Sequence, residues 1–330
     1  MKAVIPVAGA GTRLRPHTYT QPKALIPIAG KPILSFIVDP LAEAGVRDFV
    51  FVIGYLGDKI IDFVEQKYPD LNCHFVQQNL REGSGSAIAL TGDILGDDEI
   101  FIVMGDTICE FNVREILAFK GSTLGLKKVD DPRHFGVAEL DEHGQITRLI
   151  EKPQIPKSNM ALVGLYKIKE TKLLLGCLAE NFRQKLKSHD EYQLTDALQC
   201  MIEKNVRFSS FKVSNWFDCG RKDTLLETNS ILLKKNNHTR LPDIPYENTI
   251  VIPPVSIAEN CNIKNSIIGP NVTIGDNTVI KYSIIKNSII GSFSNLNEVV
   301  LNSSIIGSDA NIHGLTQSLN IGDNTEIDLG

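Results

Sequence analysis

Through about residue 130, short apolar runs alternate with stretches in which apolar residues recur every three or four positions. The runs read as strands buried on both faces and the stretches as covering helices, the pattern of a parallel sheet clothed on both sides. Strands are predicted at Lys2–Val7, Phe49–Ile53, Phe75–Gln78 and Ile100–Met104, and helices from Pro32 to near Gly45, over Asp58–Lys67 and over Ser84–Gly92. The texture then turns antiparallel. Gly136–Leu140 and Gln145–Glu151 flank Asp141-Glu142-His143-Gly144 as a hairpin, followed by a strand at Met160–Ile168, a helix at Thr195–Lys204 and a strand at Ser209–Val213.

From about residue 250 a third pattern takes over. Aliphatic residues stand at 263, 268, 274, 280, 285, 290, 296, 301, 306 and 312, with Asn, Gly, Ser and Asp between them. Ser-Ile-Ile recurs at 266, 283, 288 and 304, and Gly-Asp-Asn-Thr at 275 and 322. Steps of five or six residues fit neither a helix nor a simple strand. They fit a hexapeptide solenoid, in which each flat side needs one inward aliphatic residue and each corner a small or turn-forming one. Residues 236–248, with Lys-Lys-Asn-Asn-His and two prolines, read as a linker. The expected domains are therefore 1–235, the linker 236–248, and 249–330.

Composition narrows the class. Of 330 residues, 42% are hydrophobic and 22% charged, which argues for a folded globular chain. A net charge of −5 gives no general affinity for nucleic acid or an anionic membrane, so any phosphate site must be built locally. Six cysteines without a Cys-x-x-Cys pair suggest reduced thiols. The opening apolar run meets Gly, Thr and Arg too early for a signal peptide, and charges interrupt every longer one. A cytoplasmic protein is expected.

The first strand runs into Gly9-Ala10-Gly11-Thr12-Arg13-Leu14-Arg15-Pro16, and such a turn lets backbone N–H groups approach a phosphate. A dinucleotide fold would need a third glycine where Leu14 stands, and a P-loop would need Ser or Thr after Gly30-Lys31, where Pro32 stands. Neither applies. Read on through Gln21-Pro22-Lys23-Ala24-Leu25-Ile26-Pro27, the segment matches G-x-G-T-R-L-x-P-x-T-x-x-x-P-K-x-L-x-P. In this it resembles the sugar nucleotidylyltransferase family, most closely the long glucose-1-phosphate thymidylyltransferases. The resemblance implies a Rossmann-like mixed-sheet α/β nucleotidyltransferase domain followed by a left-handed parallel β-helix.

What the resemblance implies about chemistry can be carried over residue by residue. Arg13 and Lys23 meet the triphosphate and Lys152 the phosphate of the sugar. Asp106 of Met104-Gly105-Asp106 and Asp218 of Trp216-Phe217-Asp218-Cys219-Gly220 hold Mg²⁺, a hard cation suited to carboxylates and phosphate oxygens. Ala8, Gly9, Gly11, Thr12, Gln78, Gly85, Ser86 and Gly105 are the expected nucleotide contacts. Glu151-Lys152-Pro153 resembles the family's E-K-P, and with Gly136, Leu162 and Tyr166 is expected to line the sugar pocket. Tyr166 reads equally well as core.

The connection after Gln78 is longer than usual for the family, and Ala8 stands where thymidylyltransferases usually have glycine. The expected reaction is transfer from a nucleoside triphosphate, dTTP by resemblance, to a sugar 1-phosphate such as glucose 1-phosphate. Uridylyl transfer and a non-catalytic regulatory subunit remain as alternatives, and an acyltransferase role for His313 in the tail as a further one. A homo-oligomer assembled through the solenoid is expected.

Overall fold

The structure, a computed structural model, describes residues 1–235 and 246–314. It divides into two compact units, Met1–Thr228 and Asn229–Gly330. The expected linker falls mostly outside the described residues, as does the second Gly-Asp-Asn-Thr.

The first unit begins with β1 (Lys2–Pro6), a small ribbon of β2 (Pro27–Ile28) and β3 (Lys31–Pro32), and helix α1 (Ile33–Glu43). β4 (Asp48–Ile53), α2 (Gly57–Lys67) and β5 (Asn72–Gln77) follow, then α3 (Ser84–Ala89), α4 (Gly92–Leu95) and β6 (Ile100–Val103). The single helix expected over Ser84–Gly92 is thus two. The Thr91 hydroxyl bonds the Ile88 carbonyl at 2.7 Å, competing with the helical ladder where the first helix stops. β7 (Thr107–Glu110), α5 (Val113–Ala118), β8 (Ser122–Lys128), β9 (Gly136–Leu140), β10 (Ile146–Glu151) and β11 (Met160–Ile168) come next. α6 (Thr171–Gln184), α7 (Leu194–Glu203), β12 (Phe208–Lys212) and β13 (Asn215–Asp218) complete the series, and α8 (Lys222–Lys235) runs from this unit into the second.

Nine strands form one mixed sheet in the order β5-β4-β1-β6-β11-β8-β12-β10-β9. β5, β4, β1 and β6 are parallel, and β11 runs antiparallel to β6. Because successive strand residues face opposite sides, Val4, Val50 and Ile102 enter one core layer with α6 and α7. Ala3, Ile5, Phe49, Phe51 and Phe101 enter the other with α1 and α2. Both faces are covered, which is why these strands read as unbroken apolar runs.

The described residues of the second unit form a parallel β-helix with three faces of four strands each. These are β14 (Ile250–Val251), β15 (Val255–Ile257), β16 (Asn262–Lys264), β17 (Ile267–Ile268), β18 (Val272–Ile274), β19 (Val279–Lys281), β20 (Ile284–Lys286), β21 (Ile289–Ile290), β22 (Asn295–Asn297), β23 (Val300–Asn302), β24 (Ile305–Ile306) and β25 (Asn311–His313). Coil spacing shortens from 17 residues, Ile250 to Ile267 to Ile284, to 16 at Ile284 to Val300, so a 17-residue coil contains one step of five and a 16-residue coil two. Ile263, Ile268, Ile274, Ile280, Ile285, Ile290 and Leu296 are buried along its axis. Corners turn through left-handed residues, among them Asn260, Asn265, Asn271, Asn277 and Asn287. Asparagine is the non-glycine residue that best tolerates this conformation.

The three faces differ. On β15-β18-β21-β24, Thr273 donates to Asn229 Oδ1 at 2.7 Å and the outward Ser256 and Thr273 are buried. On β16-β19-β22-β25 the outward positions include Asn262, Asn295 and Asn311. β14-β17-β20-β23 carries outward Ile250, Ile267, Ile284 and Val300 in register.

Candidate functional site

The parallel strands β1 and β6 end side by side, and the chain leaving each builds the floor of a cleft. Gly105 N–H donates to the Pro6 carbonyl at 3.1 Å. A Cβ at Gly105 would lie 2.3 Å from Val7 Cγ1, so only glycine permits this approach. Past β1, Gly11 adopts φ 59°, and Thr18 Oγ1 donates to its carbonyl at 2.9 Å. Two short 3-10 turns then fold the signature back on itself, and Tyr55 and Lys59 pin the returning segment by bonding the Tyr19 and Thr20 carbonyls. Lys23 Cβ would be 3.1 Å from a Cβ at Gly11, so the two halves of the signature touch.

Lys23 Nζ reaches Asp106 Oδ2 at 3.0 Å, and Thr107 Oγ1 donates to Asp106 Oδ1 at 3.1 Å. Desolvation in the cleft opposes ionisation of Asp106, although 57% of its side-chain surface is open to the void. The ammonium of Lys23, with the hydrogen bonds from Lys23 and Thr107, outweighs that penalty and holds the carboxyl below its usual range. The second aspartate comes from β13, which pairs antiparallel with β7 so that Asp218 lies opposite Thr107. Cys219 N–H donates to the Asp106 carbonyl at 3.2 Å, and Gly220 N–H to Asp218 Oδ1 at 2.9 Å.

Gly9, Gly11, Thr12, Arg13, Lys23, Gly105, Asp106 and Asp218 all line this one cleft of about 500 Å³. Ser84, Glu191 and Gly220, which the sequence did not single out, line it too. Two carboxylates facing a space beside two cations suit Mg²⁺, which takes one or two protein carboxylates and completes its shell with phosphate oxygens and water. Among the described residues no group of three or more His, Cys, Asp or Glu side chains is placed to hold a metal.

The expected sugar residues gather beside the end of β10. Glu151 Oε2 accepts a 2.7 Å hydrogen bond from Thr195 Oγ1, at the start of α7. A Cβ at Gly136 would meet Leu162 Cδ1 at 2.8 Å, Glu151 Oε2 at 3.1 Å and Thr195 Oγ1 at 3.1 Å, so Gly136, Glu151 and Leu162 converge as the sequence suggested. Thr195 was not foreseen; its partner is 44 residues away. Lys152 adopts φ 41°, its N–H held by the Phe135 carbonyl, and its ammonium stands 3.4 Å from Glu151 Oε1. It is not among the residues lining the phosphate cleft. Tyr166 is buried in the core; burial, then the nearby Glu151 and Asp106, push its phenol up.

After β5, in the segment expected to contact the nucleotide, Gln78 Nε2 donates to the Gly83 carbonyl at 3.3 Å. A carbonyl can only accept, so the amide orientation is fixed and Oε1 is left as the acceptor. Gly85 N–H is committed to the Tyr192 carbonyl at 2.8 Å, and Tyr192 N–H to Glu82 at 2.7 Å. Ser84 Oγ bonds Gln193 at 3.1 Å and receives Leu194 N–H at 3.0 Å. The long connection is thus strapped to the segment before α7. Ser86 is buried within α3, and Ala8 is buried against Val52 and Ala87. Among the described residues no helix is long and apolar enough to cross a membrane.

Comparison with known proteins agrees with this geometry. The family model described as nucleotidyl transferase matches residues 2–235. The low-salt glycan biosynthesis nucleotidyltransferase Agl11 of Haloferax volcanii is 32% identical over 71% of this chain and 66% of its own length. The bifunctional protein GlmU of Methanocaldococcus jannaschii is 35% identical over 78% and 60%, so the match spans about two thirds or less of these two relatives. Glucose-1-phosphate thymidylyltransferase of Streptomyces griseus is 33% identical over 90% of this chain and 83% of its own. Among solved structures, a UDP-glucose pyrophosphorylase in complex with UDP-glucose superposes with a TM-score of 0.63 at 25% identity, covering 71% of this chain and 98% of that one. With the family model matching most of the chain and relatives above 30% identity, the chain belongs to the nucleotidyl transferase family.

Proposed function

We propose that this chain is a sugar-1-phosphate nucleotidylyltransferase. It transfers a nucleotidyl group from a nucleoside triphosphate, dTTP in the first instance, to a sugar 1-phosphate such as glucose 1-phosphate and releases pyrophosphate. The observation that carries the reading is the convergence of Arg13, Lys23, Asp106 and Asp218 on one cleft floored by Gly9, Gly11 and Gly105. A regulatory subunit without activity would have no use for that charge set.

A phosphate oxygen of the sugar attacks the α-phosphorus, and the bond to the leaving pyrophosphate breaks in line. No side-chain nucleophile is needed, so catalysis is positioning and charge neutralisation. Arg13 and Lys23 bind the triphosphate, and Lys23 leaves Asp106 Oδ2 to do so. Glu151, oriented by Thr195, takes sugar hydroxyls, and Lys152 steers the attacking phosphate. Asp106 and Asp218 would hold Mg²⁺, which would supply further neutralisation of phosphate charge. Gln78 Oε1, left as an acceptor by the Nε2 bond to the Gly83 carbonyl, suits a base with an imide N–H, a feature thymine and uracil share. The UDP-glucose complex of a structural neighbour keeps uridylyl transfer as the second reading.

In this proposal residues 1–235 carry catalysis and the β-helix carries assembly. The support is the in-register ladder of Ile250, Ile284 and Val300, exposed by 60%, 43% and 76% on one face, which a second copy of this chain would cover. The purified protein, screened with dTTP, UTP, CTP, GTP and ATP against several sugar 1-phosphates, should release pyrophosphate with dTTP or UTP. Release with none of the pairs sinks the reading. Adding acetyl-CoA and an amino-sugar phosphate to the same screen decides whether His313, 3.3 Å from Asn297 Nδ2, has any acyltransferase role.

A further inference from the structure

Outside the cleft, one pair of nucleophilic side chains lies in direct contact. Cys177 on α6 and Cys200 on α7 place their sulfurs 2.6 Å apart, 23 residues apart in the chain. That is inside the van der Waals contact of two sulfurs and only about 0.6 Å longer than a disulfide bond. The other thiols behave differently. Cys109, Cys219 and Cys261 turn theirs to backbone carbonyls of Val163, Phe217 and Glu259.

We infer that Cys177 and Cys200 form a reversible disulfide that staples α6 to α7. The helices already hold the sulfurs nearly at bonding distance, so the bond needs an approach of only about 0.6 Å between them. Cys177 is fully buried while Cys200 is partly exposed, so an oxidant meets Cys200 first. Burial, with Cys200 as hydrogen-bonded neighbour, pushes the Cys177 thiol up, so it stays protonated and is not the first of the two to attack an oxidant.

The chemistry balances with a small-molecule disulfide as oxidant. The Cys200 thiolate attacks one oxidant sulfur, forming a mixed disulfide and expelling one thiolate. Cys177 then attacks Cys200 Sγ, gives up its proton to the medium and expels the second thiol. Two protein sulfurs are oxidised and the oxidant is reduced to two thiols. Such a staple acts at a sensitive place. α7 carries Thr195, the partner of Glu151, and Gln199, whose Oε1 accepts from Leu149 N–H at 2.8 Å in β10. Fixing α7 on α6 therefore steadies the segment that positions Glu151. A cross-link closing a loop of this length should raise the melting temperature by about 5–10 °C.

The test uses the full chain, reduced with dithiothreitol, desalted and then incubated with oxidised glutathione. The expected result is a loss of two titratable thiols, a Cys177–Cys200 linked peptide in non-reducing digests, and a melting temperature several degrees higher that reverts on reduction. Cys200→Ser and, separately, Cys177→Ser should lose the linkage and the reversible shift. Retention of all thiols by the wild type, linkage through other cysteines, or an equal shift in Cys200→Ser would overturn the inference. The peptide map of the wild type decides it even if a variant folds poorly.

Discussion

The Gly136, Glu151 and Thr195 cluster gives the sharpest test of how the sugar is held. Thr195→Val keeps the shape of the side chain and removes only the 2.7 Å hydrogen bond to Glu151 Oε2. A hydrogen bond to a charged group is worth about 1.5–3 kcal/mol, which is about a 10- to 150-fold change in kcat/KM if the bond orients Glu151 on the sugar. Gly136→Ala attacks the same point from the other side, since its methyl would lie 3.1 Å from both Glu151 Oε2 and Thr195 Oγ1 and 2.8 Å from Leu162 Cδ1. It should add a packing strain of about 1–3 kcal/mol. Pyrophosphate release is followed while the sugar 1-phosphate is varied at saturating triphosphate, and triphosphate binding is measured separately by calorimetry. The loss should fall on the sugar side, with triphosphate affinity nearly unchanged. A folded Thr195→Val protein with kcat/KM for the sugar phosphate within twofold of wild type would refute the role given to Glu151 and Thr195.

Three further outcomes follow from the same geometry. Lys23→Ala and Asp106→Asn should each lower kcat about a thousandfold, the effect of about 3–4 kcal/mol expected for one preorganised charge, while circular dichroism stays native. The Lys23–Asp106 pair also predicts a direction with pH. The folded carboxyl lies below its usual range, so the unfolded chain takes up the proton first as pH falls, and the pair stabilises the fold above the unfolded value and loses that contribution in acid. The acid-unfolding midpoint of Lys23→Met should therefore move to higher pH. Val300→Asp with Ile284→Asp should reduce the mass of the assembly in light scattering and leave the first unit's pyrophosphate release intact; an unchanged mass removes this face from assembly.

Much of the β-helix was legible because its repeat writes itself into sequence: the inward aliphatic positions from Ile263 to Leu296 are buried, Leu301, Ile306 and Ile312 are half-buried, and the asparagine corners take the left-handed conformation. The parallel half of the sheet was legible for a related reason, since strands covered on both faces must be apolar throughout. The β7–β13 ribbon was not, although it brings the two aspartates together. Its strands have four residues each, and Asn215 pairs with Glu110 across 105 residues of chain. β8, α6 and α8 were also missed, and without α6 the Cys177–Cys200 contact could not be foreseen. Arg13, Lys23, Asp106 and Asp218 were found because a contiguous signature and two short motifs flag them. Thr195, Ser84 and Glu191 carry no such flag. They reach the site only because α7 folds back over β10 and the connection after Gln78, joining Ser84 to Gln193 across 109 residues.

The central claim is that four charged groups and a glycine turn form a machine for moving a nucleotidyl group. Its most direct measurement follows an α-phosphorus label from dTTP or UTP in the presence of glucose 1-phosphate and Mg²⁺. The account predicts that the label passes into the nucleotide sugar, one pyrophosphate per transfer, and that Lys23→Ala stops both together. Label that stays in the triphosphate with every sugar phosphate offered, or that passes to free nucleoside monophosphate, would contradict it.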